Sequence, residues 1–105
     1  MKNIFTIAVL TLILSACSWV NLTSQGEKVR ILSMEEVKHC KRLGKTTVSL
    51  KSKIAGIERN REKVQKELNI LARNGAVDLN GDAVVALDQP VDGKQTFAVY
   101  RCINP

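Results

Sequence analysis

The first sixteen residues constrain the chain most, because they have the layout of a secretory signal peptide. Lys2 supplies a basic start, an apolar run extends from Ile4 to Leu14, and the small residues Ser15 and Ala16 follow. A helix that crosses the hydrocarbon core of a bilayer needs about 20 apolar residues, so this run is too short to be a membrane span. We therefore predict that residues 1–16 are removed on export and that the rest of the chain folds without them.

The end of this segment, Leu14-Ser15-Ala16-Cys17, resembles the lipobox of bacterial lipoproteins. The resemblance implies cleavage before Cys17, a diacylglycerol on its sulfur, and a fatty acyl group such as palmitate on the new N-terminus. Several acyl chains on one residue make attachment effectively permanent, whereas one chain binds only marginally. In such lipoproteins an aspartate directly after the lipidated cysteine resembles an inner-membrane retention signal. This chain has Ser18 at that position, so the resemblance favours an outer-membrane protein that faces the periplasm.

The cysteine count predicts one disulfide bond. Cys17, Cys40 and Cys102 are the three cysteines, and lipidation of Cys17 leaves one pair. Export places that pair in an oxidising compartment, where Cys40–Cys102 reads as a structural bond. The alternative is a redox-active or metal-binding pair. The chain has no Cys-x-x-Cys spacing, and its single histidine, His39, leaves a zinc site short of ligands.

Beyond the lipidated cysteine, residues 18–26 are polar and uncharged. They predict a short tether at residues 17–26, followed by a single small domain at residues 27–105. Trp19 sits either at the lipid interface, where tryptophan is favoured, or loosely within the tether.

The hydrophobic pattern of the mature chain predicts an α+β fold. The predicted elements are, in order, strands near residues 28–32 and 43–50, a helix from residue 57 to 79, and strands at 83–87 and 95–102. Residues 33–41 should form a turn and connection, and Pro90, Asp92 and Gly93 mark a turn before the last strand. One amphipathic helix should pack on a small, mostly antiparallel sheet.

Apolar residues at three- and four-residue steps define the sheet-facing stripe of the helix. They are Ile57, Val64, Leu68, Leu71, Ala72, Gly75, Ala76 and Leu79. Gly75 should allow close packing on the sheet. Gly81 is predicted to end the helix with a positive φ.

Short motifs in the domain carry a family resemblance. They are Cys40 with Leu43-Gly44, then Arg73-Asn74, then residues 79–85, and then Val99-Tyr100-Arg101-Cys102. Together they resemble the DUF4156-type family of small Gram-negative lipoproteins, with a distant similarity to the lipoproteins that sense envelope stress for the Rcs phosphorelay. The resemblance covers most of residues 28–102 and implies a compact α/β domain with no known enzyme activity. The chain departs from the stress sensor in its single candidate disulfide and its shorter tether.

Residues 78–82 resemble the start of a calcium-binding loop. Asp78, Asn80 and Asp82 match the first three ligand positions, but Ala83 and Gln89 stand where the loop needs a glycine and a bidentate acid. We therefore predict a helix end and turn, with no metal site.

Positive charge is concentrated in residues 41–73, which contain ten Lys or Arg and three Glu for a net charge of +7. A basic face could engage an anionic envelope partner. The candidate residues are Lys51, Lys53, Arg59 and Lys63. The alternative is a solvated surface whose glutamates partly pair with these cations. Nucleic acid is a poor partner, because an exported, tethered domain would not meet it.

No pairing of a nucleophile with a base is evident, so we expect a protein that is not an enzyme and that needs no cofactor beyond its covalent lipid. The leading hypothesis is an outer-membrane lipoprotein that binds or senses an envelope partner. The second is a structural lipoprotein that contacts anionic lipopolysaccharide or cell wall through the basic face. A thiol–disulfide enzyme is a third class.

Overall fold

The computed structural model describes residues 20–50 and 61–105, which form one helix on a four-stranded sheet. The elements are a 3-10 helix at Gly26–Lys28, β1 at Arg30–Ile31, β2 at Lys41–Ser49, α1 at Arg61–Val77, β3 at Ala83–Ala86 and β4 at Lys94–Arg101. This order confirms the predicted α+β fold and its sequence of strand, strand, helix, strand, strand. Ile57, at the start of the predicted helical stripe, lies outside the described residues.

The sheet has the order β1-β3-β4-β2, which places β4 in its interior. β4 pairs antiparallel with both β2 and β3, while the two-residue β1 pairs parallel with β3. β2 carries a bulge between Arg42 and Gly44. The prediction of a mostly antiparallel sheet is confirmed. The exception is the parallel pair of β1 and β3, and the chain through β2 and α1 supplies the long connection that a parallel pair requires.

α1 covers one face of the sheet with a stripe of small and branched side chains. Val64, Leu68, Ala72 and Ala76 are buried, and the last two pack in a cluster with the buried side chains of Val29, Val84, Phe97 and Val99. The small residues let the helix approach the strands closely, because a Cβ added at Gly75 would lie 3.2 Å from Thr46 Oγ1. The predicted stripe is confirmed within the described residues up to Ala76, whereas Leu79 is 38% exposed.

The segment between β1 and β2 covers the opposite face of the sheet. Val37 is buried there against Ala83, Val85, Ala98 and Tyr100, with Leu32 and the two half-buried cysteines beside them. Burial on both faces accounts for the unbroken apolar runs of β3 and β4, since a strand with one solvated face would alternate apolar and polar residues.

A reciprocal pair of hydrogen bonds closes residues 33–40 of this segment, which we call the covering turn. The Ser33 backbone N–H donates to Glu36 Oε1 at 2.9 Å, and the Glu36 N–H donates to Ser33 Oγ at 3.4 Å. The Glu36 carboxylate accepts a hydrogen bond from the Ser33 backbone and a second one from the Ser33 side chain. Both bonds favour the charged form, so they lower the pKa of Glu36. The sequence predicts a turn here, but not that its Val37 completes the core.

The helix ends in a Schellman motif centred on Asn80. The Gly81 N–H donates to Ala76 O at 2.9 Å and the Asn80 N–H donates to Val77 O at 3.0 Å. The residue with positive φ is Asn80, at 61°, so the prediction that Gly81 adopts this conformation is wrong. Asparagine tolerates the left-handed region because its short side chain bonds locally.

Gly81 is required for a different reason, which is close packing. A Cβ at this position would collide with Val99 Cγ1 and lie 3.2 Å from the Tyr100 carbonyl oxygen. The chain leaving the helix therefore passes directly over β4.

The turn before β4 is a two-residue hairpin turn. Asp92 and Gly93 have φ values of 51° and 69°, and Val91 and Lys94 exchange backbone hydrogen bonds of 2.9 and 3.0 Å. Positive φ at both central residues is the type I′ geometry, which matches the twist of paired strands. The predicted turn is confirmed.

We predict that Gly81→Ala lowers the free energy of unfolding by about 1–3 kcal/mol, the usual cost of forcing extra volume into a packed core. Gly75→Ala is the matched comparison. Its added Cβ meets a movable side chain, and alanine favours the helix by about 1 kcal/mol, so it should cost less. Urea unfolding measures both, and a Gly81→Ala protein as stable as the wild type would contradict the packing argument.

Candidate functional site

Cys40 and Cys102 are joined by a disulfide bond, as the cysteine count predicts. Their Cα atoms are 4.4 Å apart and 62 positions separate them in the sequence. The bond links the residue before β2 to the residue after β4, next to the terminal register pair Lys41 and Arg101. Both cysteines are half-buried against the cluster under the covering turn, so the bond fastens that turn to the end of β4.

The residues that could suggest a metal site have structural roles. Asp82 accepts hydrogen bonds from the backbone N–H groups of Cys102 at 2.7 Å and Ile103 at 2.9 Å, so its carboxylate holds the end of β4. Asn80 ends the helix, which confirms the predicted helix end and turn. His39 is exposed in the covering turn. Across residues 20–50 and 61–105, no three His, Cys, Asp or Glu side chains are grouped to hold a metal ion.

The N-terminal segment is fastened to α1 by the side chain of Asn74. Its Oδ1 accepts hydrogen bonds from the Thr23 N–H at 3.0 Å and the Thr23 hydroxyl at 3.1 Å, and its Nδ2 donates to the Asn21 carbonyl at 2.9 Å. Gly26 is buried beneath this contact, and a Cβ there would collide with Asn74 Oδ1.

Arg73 extends the same contact toward β1. Its Nε donates to the Val29 carbonyl at 2.7 Å and its Nη2 to the Glu27 carbonyl at 3.0 Å. Arg73 and Asn74, which we call the clamp, thus bind the backbone of the chain from Asn21 to Val29. The chain is therefore held against the domain at Asn21, Thr23 and Gly26, and a free tether would be confined to the residues before Asn21. Trp19 lies outside the described residues.

The four basic residues predicted to meet an anionic partner are only partly placed. Lys63 is exposed near the start of the described part of α1, whereas Lys51, Lys53 and Arg59 lie outside the described residues. The grouping of these four residues therefore stays a prediction.

An open cavity of about 320 Å³ lies between the 3-10 helix, the end of α1 and the end of β4. We call it the terminal cavity. Its apolar lining comes from Val29, Val77 and Ile103, and its charged lining residues are Lys28, Arg101 and Asp82. The sequence does not show that Lys28 and Arg101 converge, because they are far apart in the chain. The sole signal was that Arg101 belongs to one of the family-like motifs.

We predict that the double variant Cys40→Ser, Cys102→Ser loses roughly 4 kcal/mol of unfolding free energy, the chain-entropy value for a loop of this length. Cys17→Ser, which leaves the disulfide intact, is the control and should keep the wild-type stability. Urea unfolding compares them, and equal midpoints for the double variant and the wild type would contradict the prediction.

Asn74→Ala should release the N-terminal segment while the sheet stays folded. The three hydrogen bonds of Asn74 each contribute about 0.5–1.5 kcal/mol, so losing all three should accelerate amide exchange at Thr23 by roughly tenfold or more. Asn69→Ala removes another helix asparagine, whose side chain bonds Gln65 instead, and should leave Thr23 protected. If exchange at Thr23 were the same in both variants, the clamp would not hold the segment.

A family model matches nearly the whole part of the chain that is held together by the clamp and the disulfide. The family model described as "Domain of unknown function (DUF4156)" matches residues 20–102, from just before Asn21 to the second disulfide cysteine. No curated protein matches the chain, and no solved structure does. The similarity in layout to the Rcs stress sensor therefore stays a prediction. The match over most of its length shows that the chain belongs to the DUF4156 family.

Proposed function

We propose that this protein is an exported lipoprotein, held in the outer membrane by lipid on Cys17, whose periplasmic domain binds or senses a partner in the cell envelope. The observation that carries the proposal is the lipobox-like Leu14-Ser15-Ala16-Cys17 at the end of a signal-peptide pattern. The domain acts in this proposal as a binding module and not as an enzyme.

The disulfide supports export. Structural disulfides persist in oxidising compartments such as the bacterial periplasm and are rare in the cytosol. The bond between Cys40 and Cys102 ties the second face of the core together, so the domain benefits from a compartment in which that bond is stable.

None of the helices within residues 20–50 and 61–105 is long and apolar enough to cross a bilayer.

The clamp supports a position close to the membrane. Asn74 holds the chain at Asn21, four residues after Cys17. At about 3.3 Å per extended residue, this linker reaches roughly 13 Å. A partner would therefore be met at the membrane surface.

The alternative of a structural lipoprotein that binds through the basic face gains no support from the described residues, since three of its four cations lie outside them.

Mass spectrometry of the mature protein tests the anchor. We expect a chain that begins at Cys17, carries diacylglycerol and acyl groups, and fractionates with the outer membrane. Cys17→Ser should lack the lipid, whereas the Cys40→Ser, Cys102→Ser control should retain it. An unmodified N-terminus, or cleavage at another position, would contradict the proposal.

Membrane sorting is tested separately with Ser18→Asp, which should move the lipidated protein to the inner-membrane fraction. Ser18→Asn is the matched control without the charge. If the wild-type protein is lipidated but already found in the inner membrane, the outer-membrane assignment is wrong and the anchor assignment stands.

A further inference from the structure

We propose that the terminal cavity binds a phosphate group, with a phospholipid headgroup and free phosphate as two sources of the same chemistry. The lipid source rests on the proposed function, because it requires the domain to be anchored beside a bilayer. The binding chemistry itself depends only on the residues that line the cavity.

The two cations of the cavity are available to a ligand. Neither Lys28 nor Arg101 forms an ion pair within the described residues. The guanidinium of Arg101 is held in place by backbone carbonyls, since Nη1 donates to Asn80 O at 3.1 Å and Nε to Ile103 O at 3.3 Å. A guanidinium fixed in this way keeps its remaining N–H groups oriented, and arginine is well suited to phosphate because its donors match two oxygens at once.

The acid in the cavity lining is already engaged. Both carboxylate oxygens of Asp82 accept backbone N–H bonds from Cys102 and Ile103. Its charge is therefore directed at the end of β4, and with two cations the lining carries a net charge of +1. This net charge favours an anionic ligand.

The end of α1 opposes an anion, because helix C-termini carry a partial negative charge. That effect is reduced here, since the Ala76 and Val77 carbonyls accept the hydrogen bonds of the Schellman motif and Arg101 covers the Asn80 carbonyl. The net charge of +1 from the lining side chains outweighs the helix end, which carries about half an elementary negative charge spread over satisfied carbonyls.

The shape of the cavity suits a phosphate attached to a short apolar moiety. A volume of about 320 Å³ is at the lower end of the range for small-molecule sites. Val29, Val77 and Ile103 offer apolar contacts beside the two cations, which fits the glycerol and first methylene groups of a lipid.

The anchor brings such ligands close to the cavity. Gln25, which lines the cavity, is eight residues after Cys17. Even a fully extended chain would place it within roughly 26 Å of the lipidated residue. The phosphates of the same membrane are therefore within reach of Lys28.

The test is an NMR titration of the purified mature protein in uncharged maltoside detergent. Three additions are compared, namely inorganic phosphate, phosphatidylglycerol, and diacylglycerol as the lipid without phosphate. We expect saturable shifts of the Gly81 and Ile103 amides with at least one of the two phosphate-bearing additions and none with diacylglycerol. Saturation with inorganic phosphate identifies free phosphate as a sufficient ligand, and saturation with phosphatidylglycerol alone identifies the lipid headgroup.

The variants show whether the cations are responsible. Lys28→Gln and Arg101→Gln should each weaken binding by about tenfold, the lower end for a charge-assisted hydrogen bond. Lys45→Gln removes an exposed lysine of β2 that does not line the cavity, and should bind as the wild type does. Lys28→Gln guards against misfolding as an explanation, because Lys28 donates no side-chain hydrogen bond to the described residues.

The proposal is overturned if no phosphate-bearing addition gives saturable shifts at these amides, or if all three variants bind equally. The result is separable from the fate of the proposed function. A protein without lipid on Cys17 that still binds inorganic phosphate would retain this site and lose the membrane anchor, and a lipidated protein with no saturable shift would do the reverse.

Discussion

The rest of the structure depends on one constraint, which is that β4 is buried on both faces and paired along both edges. Phe97, Ala98, Val99 and Tyr100 are all buried, and β2 and β3 pair with the strand on either side. A strand of this kind needs two covering layers. α1 supplies one and the turn at residues 33–40 supplies the other. Small domains bury a limited fraction of their surface, so apolar contact alone would give this two-layer core only a small free energy of unfolding.

A covalent cross-link and several polar contacts compensate for this small core. The disulfide ties the covering turn to the end of β4, and Asp82 caps the same end through two backbone N–H groups. The clamp fastens the N-terminal segment across α1 through five hydrogen bonds of Arg73 and Asn74. The buried side chain of Gln95 is satisfied in the same way, since it accepts from Gln65 and donates to the Asp88 carbonyl. An unsatisfied buried amide would cost more than such bonds contribute.

The clamp also bears on how the domain would work. A long mobile tether lets a domain search a large volume, whereas a segment packed up to Asn21 keeps the domain within a short distance of its anchor. The terminal cavity borders the same segment through Gln25 and Lys28. The described N-terminal segment thus contacts α1 through the clamp and also lines the cavity.

The sequence by itself determined the features that depend on local chemistry. Periodicity located α1 and the strands to within a few residues, Asp92-Gly93 marked the hairpin turn, and three cysteines with one assigned to lipid left a single disulfide pairing. These signals are local or combinatorial, so a linear chain displays them. Local chemistry failed at Gly81, where the requirement was the space between the helix end and Val99 and not a backbone angle.

Only the tertiary structure decided which distant groups meet. Nothing in the pattern of residues 33–41 indicated that Val37 completes the core. Likewise, nothing in the sequence near Asn21 and Thr23 indicated that Asn74 would bind them. The convergence of Lys28 with Arg101 depends on the parallel placement of β1 beside β3, which brings the N-terminal segment to the end of β4. Such contacts depend on how the sheet and helix pack. Packing brings together residues that are distant in the chain, and the local sequence around each residue does not indicate its partner.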